Sequence, residues 1–236
     1  GHVQNFSDPL VECKKCHQRF REDHLLEARS REPGYDKEKP ADKDDLKCPE
    51  CGGTLTGAKQ FNLMFKTFVG PTEDSAAAAY LRPETAGGIF VNYKNILQTA
   101  RKKLPFGIAQ IGKAFRNEIT VENYIFRVRE FEQMEVEYFI NPKDWEKYFE
   151  DWLAMMKKWC AFLGLKNEDL VFREIPDSER AFYSKRTIDI EYKFPFGVKE
   201  LYGLAYRTDY DLSRHQKFSG EDLSNLDAET GEKFIP

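Results

Sequence analysis

Hydrophobic and polar residues alternate most clearly between positions 104 and 139, LPFGIAQIGKAFRNEITVENYIFRVREFEQMEVEYF. With period 2, Gln110, Gly112, Ala114, Arg116 and Glu118 share one face. Ala109, Ile111, Phe115 and Ile119 share the other, which the pattern assigns to the half-buried side. A polar connection at 120–123 follows, and the alternation then resumes. Arg127, Arg129, Phe131, Gln133, Glu135 and Glu137 stand on one face, against Val128, Met134, Val136 and Tyr138 on the other. Two such runs joined by a short polar loop predict an antiparallel pair. From the residues alone, the face collecting arginines, a phenylalanine and carboxylates reads equally as a binding face or as a solvated sheet face with cross-strand ion pairs.

Around this pair the pattern predicts further elements. Residues 1–10 read as an opening strand or loop with a turn at Asp8-Pro9, 61–65 and 67–70 as short strands returning to the main sheet, and Ala-rich 73–80 as a helical turn. A helix over about 85–102 carries Ile89, Phe90, Tyr93, Ile96 and Leu97 on its apolar stripe. Asn141 as N-cap and Pro142 in the first turn open a long helix that runs to about 163 and ends at Gly164. Its Trp145, Phe149, Trp152, Met156, Trp159 and Leu163 recur at helical spacing and read as core. Cys160 reads as a small buried hydrophobe. Strands are predicted at 170–175, 186–194 and 199–207, with Asp209 and Asp211 flanking a turn and His215 in a loop. Strict alternation puts Glu200 and Arg207, seven apart, on opposite faces.

Composition narrows the class. A chain of 236 residues, 41% hydrophobic, suffices for one large domain with a small appended one. A net charge of −4 gives no basic footprint of a nucleic-acid binder, although a local patch would not show in the sum. No run of about 18 apolar residues and no secretory leader is legible, so the expectation is a cytoplasmic chain without a membrane partner.

Two chemical motifs stand out. Cys13-x-x-Cys16 and Cys48-x-x-Cys51 place paired thiolates two residues apart, as a tetrahedral zinc ion requires, and Gly52-Gly53 permits the tight knuckle. The competing reading is a pair of knuckles that no longer hold metal. Four cysteines close the shell without His17, so the zinc would be structural. Charged, Pro-containing residues 29–45 between the pairs read as a mobile loop. The run 107–114, GIAQIGKA, approaches the P-loop pattern but alternates as a strand and has alanine where the Mg²⁺-binding hydroxyl belongs, so it is rejected.

Phe115-Arg116-Asn117-Glu118, a loop, then Arg127 and Phe131 match the second signature motif of class II aminoacyl-tRNA synthetases. The longer words LRPETAGGIFVNYKN, LPFGIAQIGKAFRNEI, IFRVREFEQME and GLAYRTDYDLSRH resemble the homodimeric glycyl-tRNA synthetases. The resemblance implies an α+β fold, an antiparallel sheet flanked by helices with a zinc-ribbon-like insertion, divided as 1–60 (opening segment and ribbon) and 61–236 (catalytic core). It implies ATP, glycine and tRNA(Gly) as substrates, Mg²⁺ and a structural Zn²⁺, and a homodimer.

The residue roles it implies are specific. Arg116 holds the α-phosphate and the amino acid carboxylate, Arg127 the β/γ end, Phe131 stacks on adenine and Glu118 accepts from the adenine amino group. Glu200 helps hold Mg²⁺. Glu84 and Glu135 take the glycine ammonium, and Arg207 its carboxylate. Taken alone, Glu84 reads equally as a helix cap or dipole partner, and Glu200 and Arg207 as surface ion pairs. Gly87 departs from the family, which has glutamine there. The first and third class II motifs and the anticodon-binding domain are not among these residues, which implies impaired activity for this stretch by itself. A non-catalytic relative kept as a binding or dimerising subunit is the alternative. Intact Arg116, Glu118, Arg127 and Phe131 speak against it. A zinc-ribbon nucleic-acid binder is a third reading, unsupported by the acidic balance.

Overall fold

A computed structural model describes residue 3 and residues 6–30, 46–227 and 229–236. It divides into two compact units, Gly1–Thr85 with Ile111–Gln133, and Ala86–Gln110 with Met134–Pro236. In the first, β1 (Ser7–Glu12) pairs antiparallel with β2 (Arg19–Arg21) and with β3 (Lys59–Asn62), and α1 (Glu22–Ser30) follows β2. A second antiparallel pair joins β4 (Lys66–Phe68) to β5 (Ala78–Tyr80).

The second unit opens with α2 (Ala86–Thr99). Its Ile89, Phe90 and Tyr93 are buried with Phe106, Phe139 and Leu212, as the apolar stripe predicts. Asn141 does not cap the long helix as expected. Its side chain accepts from the Lys143 N–H and caps a 3₁₀ turn, Pro142–Asp144, before α3 (Trp145–Phe162). The helix's own N-cap, Asp144, makes no side-chain hydrogen bond, and Gly164 at φ +79° lies beyond the other end. The antiparallel sheet β8 (Leu170–Glu174), β9 (Arg186–Phe194) and β10 (Gly197–Tyr206) has β9 in the middle. α3 packs Phe149 and Leu153 against Ile188, and fully buried Cys160 against Leu170 and Ile190. α4 (Tyr210–Ser219) and the short pair β11 (Asn225–Leu226) and β12 (Lys233–Phe234) end the chain. No helix among the described residues is long and apolar enough to cross a membrane.

β6 (Phe106–Phe115) and β7 (Glu130–Phe139) pair with each other, and each strand contributes residues to both units. The alternation is as predicted, but the sides are reversed. Ala114 is fully buried, whereas Ile111, Met134 and Val136 are 73%, 57% and 44% exposed. The partners explain this. In the first unit Gly112 lies against Arg82 and Thr85, and in the second Gln110 lies against Gly88 of α2. The cross-strand ion pairs, Lys113 with Glu130 at 3.2 Å and Glu132 at 3.8 Å, occupy the exposed face instead. Arg116, Arg127 and Phe131 on the other face are therefore half-buried, while Arg129 is exposed.

Other expectations need correction. Asp8-Pro9 forms no turn, because β1 runs straight through it with Pro9 opposite Gln60. Residues 73–80 end in β5 rather than a helical turn, since the Asp74 carboxylate caps the N–H groups of Ala76 and Ala77 and sends the chain back along β4. The strands β3 and β4 pair with β1 and β5, not with β6 or β7. His215 sits in α4, not in a loop. Of the expected loop at 29–45, Arg29 and Ser30 belong to α1 and 31–45 lie outside the described residues.

Candidate functional site

In the first unit, Pro83 holds Arg82 extended, and Arg82 ties the strand down. Its Nε donates to Lys113 O at 2.6 Å, and its carbonyl accepts from Phe115 N at 2.9 Å. A Cβ at Gly112 would lie 2.6 Å from Arg82 Nη2, so the glycine leaves room for this guanidinium. Arg116 comes next, just past the end of β6. Its Nε donates to Pro83 O at 3.2 Å, and its guanidinium lies 5.4 Å from the Phe6 ring and 5.3 Å from the Phe131 ring. Two aromatic faces and a carbonyl thus fix a half-buried cation beside Phe131.

Glu118 and Arg127 meet across the connection, 3.9 Å apart, with side chains only 12% and 23% exposed. An isolated bridge between Glu122 and Arg127 and positive φ at Asn123 (53°) and Tyr124 (59°) turn the chain between them. The structure therefore brings together Arg116 with Phe131, and Glu118 with Arg127. Glu84 is half-buried immediately before buried Thr85. A Cβ at Gly87 meets nothing within 4 Å, so the larger residue of the family pattern has room there.

Sequence reasoning placed Gln133 on this face but gave it no role. Its Oε1 is buried and has no hydrogen-bond partner. An orphaned buried acceptor is costly unless a donor reaches it. Its position among Arg127, Phe131 and Glu135 in the period-2 pattern was the available signal.

In the second unit, Glu135 and Arg207 line one groove of about 650 Å³ together with Glu137, Asp211 and the rings of Trp152 and Tyr202. Arg207 Nε and Nη2 donate to the Asp211 carboxylate at 2.7 and 3.1 Å, and the guanidinium lies 3.9 Å from the Tyr183 ring. Burial disfavours this charge, but the Asp211 carboxylate outweighs it and keeps the guanidinium protonated. The predicted opposition of Glu200 and Arg207 fails for a local reason. A bulge between Glu200 and Tyr202 inserts one residue and reverses the alternation, so Glu200 faces the side of Gly203. A Cβ at Gly203 would lie 3.3 Å from Glu200 Oε1 and 3.9 Å from Asp189 Oδ1. Asp189, whose carboxyl is pushed up by burial, is thus a second acid beside Glu200 that sequence reasoning missed.

The four cysteines gather in the first unit, with all Sγ atoms within 4.8 Å of one another. Cys13 and Cys51 are 3.5 Å apart, and Cys16 and Cys48 3.6 Å. A tetrahedral zinc with bonds of about 2.3 Å needs S···S separations of about 3.8 Å, so the donor set fits the ion. The N–H groups of Cys16 and Lys15 point at Cys13 Sγ and hold its thiol down, to about 6. Gly52 adopts φ +65°, and a Cβ at Gly53 would lie 2.9 Å from Cys13 Sγ. His17 turns away, 75% exposed and 3.3 Å from Glu12 Oε1.

Residues 67–217 match the family described as tRNA synthetase class II core domain (G, H, P, S and T), and the chain belongs to that family. Among similar proteins, a glycine–tRNA ligase of Geobacillus kaustophilus is 51% identical over 247 aligned positions, covering 100% of this chain and 54% of the relative. A glycine–tRNA ligase of Streptomyces coelicolor is 53% identical over 241, covering 100% of this chain and 52% of that protein. The chain thus spans about half the length of the curated relatives it matches.

Proposed function

We propose that the protein of which this chain is a part activates glycine with ATP and transfers it to tRNA(Gly). The observation that carries this reading is the reversed face of the β6–β7 pair, where polar residues are covered while aliphatic ones face solvent. Folding alone favours the opposite, so half-buried Arg116, Arg127 and Glu118 together with the orphaned Gln133 acceptor favour a ligand there. The names of the relatives supply glycine and tRNA.

In the first step a glycine carboxylate oxygen attacks the α-phosphorus of ATP, a Pα–O bond forms, the bond to the β-phosphate breaks, and pyrophosphate leaves. Negative charge builds on the α-phosphoryl oxygens. A guanidinium already held in place by Pro83 O and two rings stabilises that charge without reorganising, which is the task assigned to Arg116. Arg127 takes the β/γ end, Glu118 the adenine amino group, and Phe131 the adenine ring. Glu84 and Glu135 accept from the ammonium, Gln133 adds a further acceptor, and Arg207, locked by Asp211, holds the carboxylate. In the second step a ribose hydroxyl of the tRNA end attacks the glycyl carbonyl, its proton passes to the departing phosphate oxygen, the bond from the carbonyl carbon to that oxygen breaks, and AMP leaves. The first step, an attack by a carboxylate, needs no proton transfer, so positioning and electrostatics suffice for it.

Glu200 and Asp189 are the residues that would hold Mg²⁺, which supplies charge neutralisation on the phosphates when bound; one or two carboxylates plus phosphate oxygens are its usual set. Zn²⁺ on Cys13, Cys16, Cys48 and Cys51 leaves no open position and serves structure only. A homodimer in the cytoplasm belongs to the same proposal, from the resemblance. Charging of a tRNA(Gly) transcript with labelled glycine by the full-length protein tests it. Glycyl-tRNA formation is expected, whereas a folded protein that charges no tRNA refutes the reading.

A further inference from the structure

Behind the connection that carries Glu118 and Arg127 lies a second set of charges that the proposed chemistry does not use. Arg21, the last residue of β2, holds Asp23 with both sides of its fork, Nε to Oδ1 at 3.1 Å and Nη2 to Oδ2 at 2.6 Å. Its Nη1 lies 2.7 Å from Asp8 Oδ2. That last approach is an ion contact without hydrogen-bond geometry, so Asp8 Oδ2 is buried with no donor aimed at it. The side chains of Arg21 and Asp8 are 24% and 14% exposed, as covered as those of Arg127 and Glu118. Arg21, Glu118 and Arg127 line one cavity of about 250 Å³, walled by Phe20, Leu25 and Ile119.

Two covered cations and the covered Glu118 therefore line one small space, with the covered Asp8 carboxylate against Arg21, and charges in that setting need partners. Burial pushes the Asp8 carboxyl up, and Arg21 is the first cation to oppose this, followed by Arg127. Arg127 lines the same cavity as Arg21, so it is the other covered cation there for Asp8 if Arg21 were missing. Its present tie to Glu118 is long, 3.9 Å, which leaves it able to turn toward another anion. We infer that Arg21 is a positioning residue for ATP: by neutralising Asp8 it keeps Arg127 and Glu118 available to the nucleotide. This rests on the ATP reading of Arg127 and Glu118 given above. It also gives the cysteine-bearing hairpin a part in activation, since Cys13 and Cys16 sit in the turn between the strands that carry Asp8 and Arg21.

The test is glycine-dependent ATP–pyrophosphate exchange by the full-length protein, with Arg21→Met, Arg21→Lys, and Arg21→Met combined with Asp8→Asn. Arg21→Met leaves Asp8 unopposed and is expected to raise the KM for ATP about tenfold, with kcat and the KM for glycine changed less than about threefold. Arg21→Lys keeps the charge and is expected to stay within about threefold of the unmodified protein. The double variant removes the carboxylate together with its partner and is expected to recover most of the ATP affinity. A purely structural role would instead make the double variant as poor as the single one, and that result overturns the inference. An unchanged KM for ATP in Arg21→Met overturns it too. Absence of exchange in the unmodified protein refutes the ATP reading itself, and the inference with it, and is told apart by needing no variant.

Discussion

Gly53 shows how a single position can be constrained by chemistry that a sequence only hints at. Its missing Cβ is what lets Cys13 Sγ and Cys51 Sγ approach, at 2.9 and 3.2 Å from where that atom would stand. Gly53→Ala is therefore expected to open the sulfur cluster and lower zinc retention at least tenfold, measured as metal released to a competing chelator, while Gly57→Ala, with nothing within 4 Å, leaves retention unchanged. The CxxC spacing made the cluster legible because both sulfurs of each pair are fixed by local chain geometry. Gln133 and Asp189 were not legible in the same way. Their importance comes from an unpaired buried oxygen and from a neighbour across a strand, and neither is encoded in nearby residues. Arg116 lies between the two cases. Its motif named it, but the two rings and the Pro83 carbonyl that fix it come from three separate segments.

At the scale of elements, periodicity located β6, β7, α2, α3 and β9 because each has a strong apolar pattern. It failed where the pattern is weak or locally interrupted. α4 is short and mostly polar and buries only Leu212; it is held by Asp209 accepting from Ser213 Oγ at 2.6 Å, by the Arg207–Asp211 fork, and by Gly220 at φ +76° as its cap. The bulge in β10 leaves no mark in the sequence, yet it changes which residue Glu200 faces. The covered side of the β6–β7 pair was misread because alternation says that two faces differ, not which one a partner will cover. The final hairpin offers a test of local electrostatics. The N–H groups of Thr230 and Glu229, then Lys143 and Asn141, hold the Asp227 carboxyl well below the usual carboxylate range. A depressed folded-state pKa contributes stability that is complete above the unfolded value, about 4, and is lost as pH falls below it. The acid limb of Tm against pH between about 2 and 5 is expected to be shallower for Asp227→Asn than for the unmodified protein. Identical limbs would remove Asp227 from the account.

For the whole molecule, composition said little and long motif words said most. A balanced charge and a moderate apolar fraction fit many soluble classes, whereas the class II core family is defined over residues 67–217. The zinc-like cluster, the Arg21–Asp8 contact and the pairs Arg116–Phe131 and Glu118–Arg127 all fall in the first unit, and the Glu135–Arg207 groove in the second. The central claim is that these residues serve glycine activation. Recognition of a substrate without a side chain rests on its ammonium and carboxylate and on excluding anything larger. The most direct measurement is ATP–pyrophosphate exchange by the full-length protein with glycine, alanine or serine, with Arg116→Ala as control. The account predicts exchange with glycine alone, reduced about a hundredfold or more in the control, as expected when a fixed charge on the transition state is removed. Exchange supported by no amino acid, or undiminished in Arg116→Ala, would contradict it.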